Sequence, residues 1–548
     1  MKKYLVLFVT FLLLIGLSGC QKKPKDDIYI FFTSDVHCGV DENVTFPALK
    51  ALVDDTKAEH ENVLLVDCGD YIQGGNIGAL SRGEMIVELM NDMGYDLATY
   101  GNHEFDYGME RLSELTKMMK FQTIASNVKY SGNKENIFKD VPEYVIKDFD
   151  GVKVAFLGLL TPNTIVSSTP KFFMEDNKFV YDFYSGNDGM EMANKVQSIV
   201  DEVRKQGADY VVAISHLGTN TEKEGVYNSI SLISHTSGID VVLDGHSHAM
   251  IVGDVYPNKD GKDVLLSSVG TKLEAVGELI ISKEGEISTV HFNEYSRSDE
   301  TIQKSIDNVK DELDVILSEV IGETAFDLSV TDEEGIRMVR TRETNLGDFV
   351  ADAFREVLGT DVAVINGGAV RKTVKEGKIT FGDLLNITPF FNKGCVYKVT
   401  GQMILDALEY CSKETEAIYK LDGKAVGEFG AFLQVSGLKY TINTSIPSAV
   451  TVDEKGMFNG FSSDARRVSD VMVLENGEYV PIDPEKEYTL GSADYLVENA
   501  GDGNTAFKNS EKIDDPGIYD SNVTEMFLKK NPQVADHYKV PEGRITIK

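Results

Sequence analysis

Gly101-Asn-His-Glu-Phe-Asp106 brings an amide, an imidazole and two carboxylates together within six residues. Amide oxygen and neutral imidazole nitrogen both serve as ligands for borderline divalent metals. The same residue types recur in Asp35-Val-His37, Asp67-Cys-Gly-Asp70, Ser215-His216 and Asp244-Gly-His246-Ser-His248. Five of the nine histidines (His37, His103, His216, His246, His248) fall in these motifs, whereas His60, His235, His291 and His537 do not. A single such histidine is more often a satisfied polar residue than a ligand. Five of them, with Asp35, Asp70 and Asn102, exceed what one tetrahedral ion can use. They suit two ions sharing one bridging carboxylate. Such a pair, about 3.5–4 Å apart, polarises a phosphoryl group and supplies hydroxide at neutral pH for in-line attack. His103 is placed to protonate the leaving oxygen if Asp106 orients it; Asp106 could equally cap a helix over Gly108–Met118.

Each motif ends an apolar run: Phe31–Phe32, Val63–Val66, Tyr95–Tyr100, Tyr210–Ile214 and Ile239–Leu243. These read as buried strands, and in open α/β sheets sites collect beyond the carboxyl ends of strands. Helical patterns at Phe46–Lys57, Gly83–Met93 and Gly189–Gln206 separate them. Glu143–Leu160 reads as a hairpin turning at Asp150-Gly151, and Val264–Val269 and Glu274–Ser282 as further strands. Residues 28–295 therefore predict a layered α/β domain with a mixed sheet. Ile302, Ile306, Val309, Leu313, Ile316 and Val320 recur at helical spacing above a charged face, and Gly322 is a stop. Residues 296–322 are the expected helical linker. Residues 323–548 predict a second α/β unit without a comparable histidine cluster. Its helices are Asn345–Leu358 and Gly401–Cys411; its strands are Asp361–Ile365, Phe432–Thr441 and Val468–Leu474.

A chain of 548 residues exceeds one core, so two or three domains are expected. With 42% hydrophobic and 26% charged residues it has an ordinary globular composition. Its net charge of -34 argues against a nucleic-acid polymer as partner, but not against a small anion held by local cations and metals. At the N-terminus, Lys2 and Lys3 precede the apolar run Leu5–Leu17, which is short for a membrane span. Leu17-Ser-Gly-Cys20 resembles a bacterial lipobox. The expectation is a signal peptide over 1–20, lipidation of Cys20, a tether over 21–27, and an extracytoplasmic protein anchored to a bacterial membrane. An ordinary secretory signal and an N-terminal anchor are the alternatives. Cys38 and Cys68 each sit beside a candidate ligand, and both a disulfide and two buried thiols fit the sequence.

Asp35-x-His37, Gly69-Asp70, Gly101-Asn-His-Glu104, His216 and Gly245-His-x-His248, in this order, resemble the calcineurin-like metallophosphatases. The resemblance implies a four-layer α/β sandwich holding two divalent ions, whether zinc, manganese, iron or cobalt. It puts Asp35, His37, Asp70 and His248 around one ion and Asp70, Asn102, His216 and His246 around the other. His103 with Asp106 resembles the catalytic dyad of the 5′-nucleotidase branch. Thr341-Arg-Glu-Thr-Asn345, Asn366-Gly-Gly-Ala-Val-Arg371, Pro389-Phe-Phe-Asn392 and Gly501-Asp-Gly503 look like the C-terminal domain of 5′-nucleotidases. By that resemblance Arg342 and Arg371 hold phosphate, Phe390 and Tyr495 sandwich the base, Asp502 accepts from ribose hydroxyls and Asn366 touches the base. Tyr495 departs from the pattern, standing seven positions before Asp502 where the family has a Phe six before. The implied activity is release of phosphate from nucleoside 5′-monophosphates. Hydrolysis of UDP-sugars, or of 2′,3′-cyclic nucleotides followed by 3′-nucleotidase action, are alternatives on the same fold, and a thiosulfate-ester hydrolase is a more distant one. A surface nucleotide-binding or adhesion protein is the rival from another class.

Overall fold

The computed structural model describes residues 24–176, 178–219, 227–530 and 532–548. The lipobox and Cys20 lie outside these residues. Among the described residues no helix is long and apolar enough to cross a membrane. The chain forms two compact units: one runs to Ile165 and includes Phe172–Asp311, and the other comprises Val166–Lys171 and Glu312–Lys548. The boundary at Asp311 falls inside the helix Glu300–Leu317. That helix ends before the expected Val320, which instead opens the strand Val320–Thr324 and pairs with Gly377–Thr380. The apolar stripe is buried at Ile302, Ile306 and Leu313, but Ile316 and Val320 are half exposed.

The first unit holds two six-stranded sheets rather than one. In the first, Ile287–Phe292, Val276–Ile281, Ile28–Thr33, Val63–Asp67, Leu97–Ala98 and Gln122–Thr123 lie side by side. In the second the order is Met250–Pro257, Asp263–Val269, Val241–Asp244, Tyr210–His216, Val152–Leu160, Tyr144–Phe149. The split arises because Val152–Leu160 pairs with Tyr210–His216 and with its own hairpin partner, not with Gln122–Thr123. Ile30, Phe32 and Val66 of one sheet and Phe156, Val212 and Leu243 of the other share a single core, so the sheets stack face to face. The outer face of the second sheet is covered by the helices Met190–Lys205 and Ser229–His235 through Val196, Val200, Leu232 and Ile233. The helix Phe46–Glu59 buries Leu49, Leu52 and Val53 and touches Val63–Asp67. The result is a four-layer α/β sandwich. Burial on both faces explains why Tyr210–His216 and Val241–Asp244 read as continuous apolar runs rather than alternating ones.

The register positions the motifs. Thr33 lies opposite Asp67, and Asp67 opposite Ala98, so three parallel strands end level and deliver Asp35, Asp70 and Asn102 to one edge. In the second sheet Ile214 lies opposite Leu243, and His216 and His246 leave that pair within three residues of it.

The second unit centres on a five-stranded sheet: Leu433–Ser436, Val362–Asn366, Glu487–Ala493, Gly394–Thr400 and Glu511–Asp514. Helices Asn345–Leu358 and Asp520–Lys530 pack against it through Phe349, Phe354, Val523 and Phe527. A separate cluster includes the helix Gly401–Cys411 and a four-stranded sheet built on Val468–Glu475. The strand expected over Phe432–Thr441 is two strands. Gly437, at φ 71°, turns the chain between Leu433–Ser436 in the larger sheet and Leu438–Ile442 in the smaller.

Candidate active site

At the carboxyl edge of the paired sheets, two groups of side chains converge: Asp35, His37 and His248, and Asp70, His216 and His246. In each group the candidate ligand atoms lie within 4.8 Å of one another. Asp70 stands between the groups, its Oδ2 lying 3.1 Å from His216 Nε2 and 3.8 Å from His37 Nε2. His37 Nε2 faces His248 Nε2 at 3.4 Å, and His248 Nε2 is 3.5 Å from Asp35 Oδ1. Asn102 Oδ1 is 2.9 Å from His246 Nδ1.

The outer nitrogens decide what this cluster is for. His37 Nδ1 is 2.9 Å from the Gln73 carbonyl oxygen, and His216 Nδ1 is 2.7 Å from that of Cys68. A carbonyl only accepts, so both Nδ1 atoms carry the proton and both Nε2 atoms turn a lone pair inward. His216 Nε2 is buried without a hydrogen-bond partner among the described residues, aimed at a carboxylate oxygen. Burial alone would depress the His216 pKa, yet Asp70 and Asp35 drive it up to about 10, so their negative field draws a proton onto that inward lone pair as it would draw a metal cation. Inward lone pairs facing carboxylates are a site built for cations, and these donors fit two divalent ions.

The backbone is strained to make this arrangement. Asp35, His37, Asp70, His246 and His248 all have left-handed φ, between 45° and 72°. Gly101 is irreplaceable locally, since a Cβ there would lie 2.1 Å from Asp70 Oδ1. Behind the site stand buried carboxylates. Glu104 accepts from the N–H groups of Asp70 and Gly101 at one oxygen and of Tyr71 and Ile72 at the other. It thereby ties the loop after Val63–Asp67 to the loop after Leu97–Ala98. Asp67 accepts from Thr33 and Gly69, and Asp244 from the N–H groups of Leu217 and Gly218. Sequence reasoning singled out none of these three for that role; the four-fold acceptor pattern of Glu104 depends on a loop 34 residues away.

His103 Nδ1 lies 2.6 Å from Asp106 Oδ2, and its backbone N–H donates to Asp70 Oδ1 at 2.8 Å. Its ring stands edge-on to His37, with centroids 5.3 Å apart. The helix that follows, Met109–Met118, starts at Gly108 with no side-chain cap. Asp106 therefore serves His103 rather than the helix. Cys38 and Cys68 are both free and buried; the Cys38 thiol contacts the Tyr71 carbonyl and the Cys68 thiol that of Leu243.

In the second unit Asn366, at the end of its strand, donates from Nδ2 to Asp502 Oδ2 at 2.9 Å. Its Oδ1 is buried with no partner among the described residues, an acceptor left open for a ligand donor. Burial lifts Asp502 to about 6, against the pull of Arg340, Asn366, Tyr495 and Arg371. The Arg371 guanidinium lies 5.6 Å from the Phe390 ring centroid. Asn366, Arg371, Phe390, Tyr495 and Asp502 are thus linked by contacts or charge. Arg342 is placed differently: its guanidinium lies 4.3 Å over the Tyr419 ring, with Nε and Nη2 buried and unpartnered among the described residues. The residue that sequence reasoning missed is Arg340. Burial and the charges of Arg337 and Arg371 depress its pKa, with Glu428 and Asp502 opposing. A desolvated guanidinium among like charges is primed for an anion. Its position beside Arg342 in Arg340-Thr-Arg342 was a visible signal, but spacing alone did not say which of the two turns toward Asp502.

The comparisons agree with both halves of this geometry. Residues 28–250 match the family model for calcineurin-like phosphoesterases, and residues 320–509 match that for the C-terminal domain of 5′-nucleotidases. The chain is 27% identical over 570 residues to a trifunctional nucleotide phosphoesterase protein of Bacillus subtilis (strain 168), covering 95% of this chain and 35% of that one. With an endonuclease of the same strain it shares 29% identity, covering 73% of this chain and 32% of the relative. The chain thus spans about a third of the length of these two relatives. A 5′-nucleotidase of Vibrio vulnificus (strain CMCP6) is 25% identical, with 98% of each chain covered. Among solved structures, the 5′-nucleotidase precursor of Thermus thermophilus superposes with a TM-score of 0.74 at 26% identity, covering 95% of this chain and 99% of its own.

Proposed function

We propose that this chain, which belongs to the 5′-nucleotidase family of metal-dependent phosphoester hydrolases, releases phosphate from nucleoside 5′-monophosphates. The observation that carries the reading is the His103–Asp106 pair beside two groups of inward-facing ligands that meet at Asp70. Asp35, His37, Asp70 and His248 would hold one divalent ion, and Asp70, Asn102, His216 and His246 the other. When bound, the ions polarise the phosphoryl group and offset the charge that develops on its oxygens. As an imidazolium, its charge balanced by the Asp106 carboxylate at Nδ1–H, His103 carries a second proton on Nε2 and gives it to the departing ribose oxygen. Asp106 then stabilises the state of His103 before the transfer and fixes the ring's plane. Glu104 holds Asp70 and Asn102 in register by fixing their loops.

The second unit supplies recognition. Arg340 and Arg371 suit the phosphate, with Arg342 as a further cation for the same anion. Phe390 and Tyr495 offer aromatic faces for the base, where stacking is worth about 1–3 kcal/mol. Asn366 Oδ1 accepts from a base amine, and Asp502 accepts from ribose hydroxyls. The name of the Bacillus subtilis relative, a trifunctional nucleotide phosphoesterase, favours a second reading in which several nucleotide phosphoesters are substrates. Lys2, Lys3, Leu5–Leu17 and Cys20 support an extracytoplasmic, lipid-anchored protein that scavenges nucleotides; labelling with a radioactive fatty acid, lost in Cys20→Ser, tests that anchor. The products of each substrate are measured with zinc, manganese, iron or cobalt: phosphate from AMP and 4-nitrophenyl phosphate, UMP and glucose 1-phosphate from UDP-glucose, and 3′-AMP from 2′,3′-cyclic AMP. AMP as the substrate of highest kcat/KM is expected; no product from any nucleotide with any metal would overturn the nucleotidase reading.

A further inference from the structure

Tyr495 approaches Asp502 through its hydroxyl and its ring together. The hydroxyl accepts the Asp502 N–H at 3.2 Å and bonds the Asp502 carboxylate as well. One oxygen can do both, accepting at a lone pair and donating its proton. The ring fills the space above Gly501, where a Cβ would lie 2.2 Å from Tyr495 Cε1. The same ring packs against both hydrophobic clusters of its unit, so it has a rigid footing.

The turn it touches needs such a brace. Ala500 and Asp502 each sit at φ 53°, a left-handed conformation that L side chains rarely adopt. Tyr410 OH donates to the Asp502 carbonyl at 2.7 Å, and Asn366 Nδ2 donates to its carboxylate at 2.9 Å. Gly430 leaves the carboxylate room, since a Cβ there would lie 2.8 Å from Asp502 Oδ1. Of these contacts, only the Tyr495 hydroxyl reaches both the main chain and the side chain of Asp502.

We infer that Tyr495 is a positioning residue: its hydroxyl fixes the turn and the carboxylate of Asp502, and so sets selectivity for substrates with free ribose hydroxyls. This rests on the nucleotidase reading, in which Asp502 meets the ribose. It adds to the aromatic role given to the same side chain, because stacking needs only the ring, whereas the clamp needs the oxygen.

Tyr495→Phe keeps the ring and deletes the oxygen. Two measurements on the full chain follow. Amide hydrogen exchange at residues 500–503 is expected to quicken in Tyr495→Phe while the flanking strand Glu487–Ala493 keeps its protection. Kinetically, KM for AMP is expected to rise about tenfold with kcat little changed, the size of one lost hydrogen bond to a charged group. The rise should be clearly smaller for 2′,3′-dideoxy-AMP, which keeps the base but lacks both ribose hydroxyls. Unchanged exchange would overturn the clamp whatever the substrate proves to be. Faster exchange with an equal loss on AMP and its dideoxy analogue would overturn the selectivity assigned to it. Faster exchange in a protein whose wild type prefers no nucleotide over 4-nitrophenyl phosphate would uphold the clamp on the turn and overturn the nucleotide reading instead.

Discussion

Asp70 is the side chain on which the site converges. Its carboxylate faces His216 and His37, accepts the His103 N–H, and hangs from a loop that Glu104 holds. Asp70→Asn is therefore expected to lose bound metal and nearly all turnover, measured by elemental analysis of the purified protein and phosphate release; two retained ions at wild-type rate would sink the bridging role. His103→Ala should keep both ions and lower kcat for AMP about 10²–10⁴-fold. The loss should shrink for 4-nitrophenyl phosphate, whose leaving group needs no proton; an equal loss on both would make His103 structural. At this scale the clustering of the candidate ligands was legible because each is a His, Asp or Asn bunched in a short motif. Arg340 was not, because two arginines stand two apart and only the turn of the chain decides that Arg340 couples to Asp502 while Arg342 lies on Tyr419. Whether Asp106 faces His103 or caps the following helix was open in sequence for the same reason, and its carboxylate lies 2.6 Å from His103 Nδ1.

Among the elements, the strand-end loops carry function and the strands beneath carry its cost. In Glu104→Gln one oxygen becomes an NH₂ and confronts N–H groups that now lack an acceptor. The expected loss is about 1–3 kcal/mol of stability, with weaker metal retention, read from denaturant melts and metal titration; an unchanged melt would show the loops are tied by other means. Glu278, 8% exposed on the strand Val276–Ile281, is a second liability. Burial raises its pKa from 4.5 to about 7. Between those values the folded protein holds a proton that the unfolded chain has released. Stability is thus fullest below pH 4.5 for this group and is lost as pH rises through about 7, on the order of 3 kcal/mol in all. Glu278→Gln should erase that slope, so that its advantage over wild type grows from pH 5 to pH 8 in chemical melts; parallel curves would show that Glu278 is solvated. Strand and helix positions were legible where both faces are buried, as in Tyr210–His216, or where one stripe is, as in Met190–Lys205. Pairing was not: nothing in Val152–Leu160 announces that it opens a second sheet, and Gly437 gives no sign that one apolar run serves two.

For the whole molecule, the two units own separate cores. Ile30, Phe156 and Leu243 belong to one cluster, and Phe349, Val364 and Tyr440 to those of the other unit. Every candidate metal ligand lies before residue 250, and every candidate recognition residue after 339. Residues 24–317 produced alone should fold, bind metal and slowly hydrolyse 4-nitrophenyl phosphate, with no preference for AMP. A folded fragment that discriminates AMP as the full chain does would place specificity in the first unit and remove the role given to Phe390, Tyr495 and Asp502. The division was legible as the charged helix between a histidine-rich half and a histidine-poor one. Its edge was not, since Val320 continues the apolar spacing of that helix yet starts a strand.

The left-handed backbone at Asp35, His37, Asp70, His246 and His248 sets a conflict between what the fold prefers and what the site requires. Glycine adopts that conformation without penalty but offers no ligand atom. In a library of variants sorted for folding alone, glycine should become enriched at these five positions; sorted for hydrolysis, it should vanish from them. Comparing the two sorted pools would therefore reveal the catalytic edge of the sheets without any substrate being known beforehand.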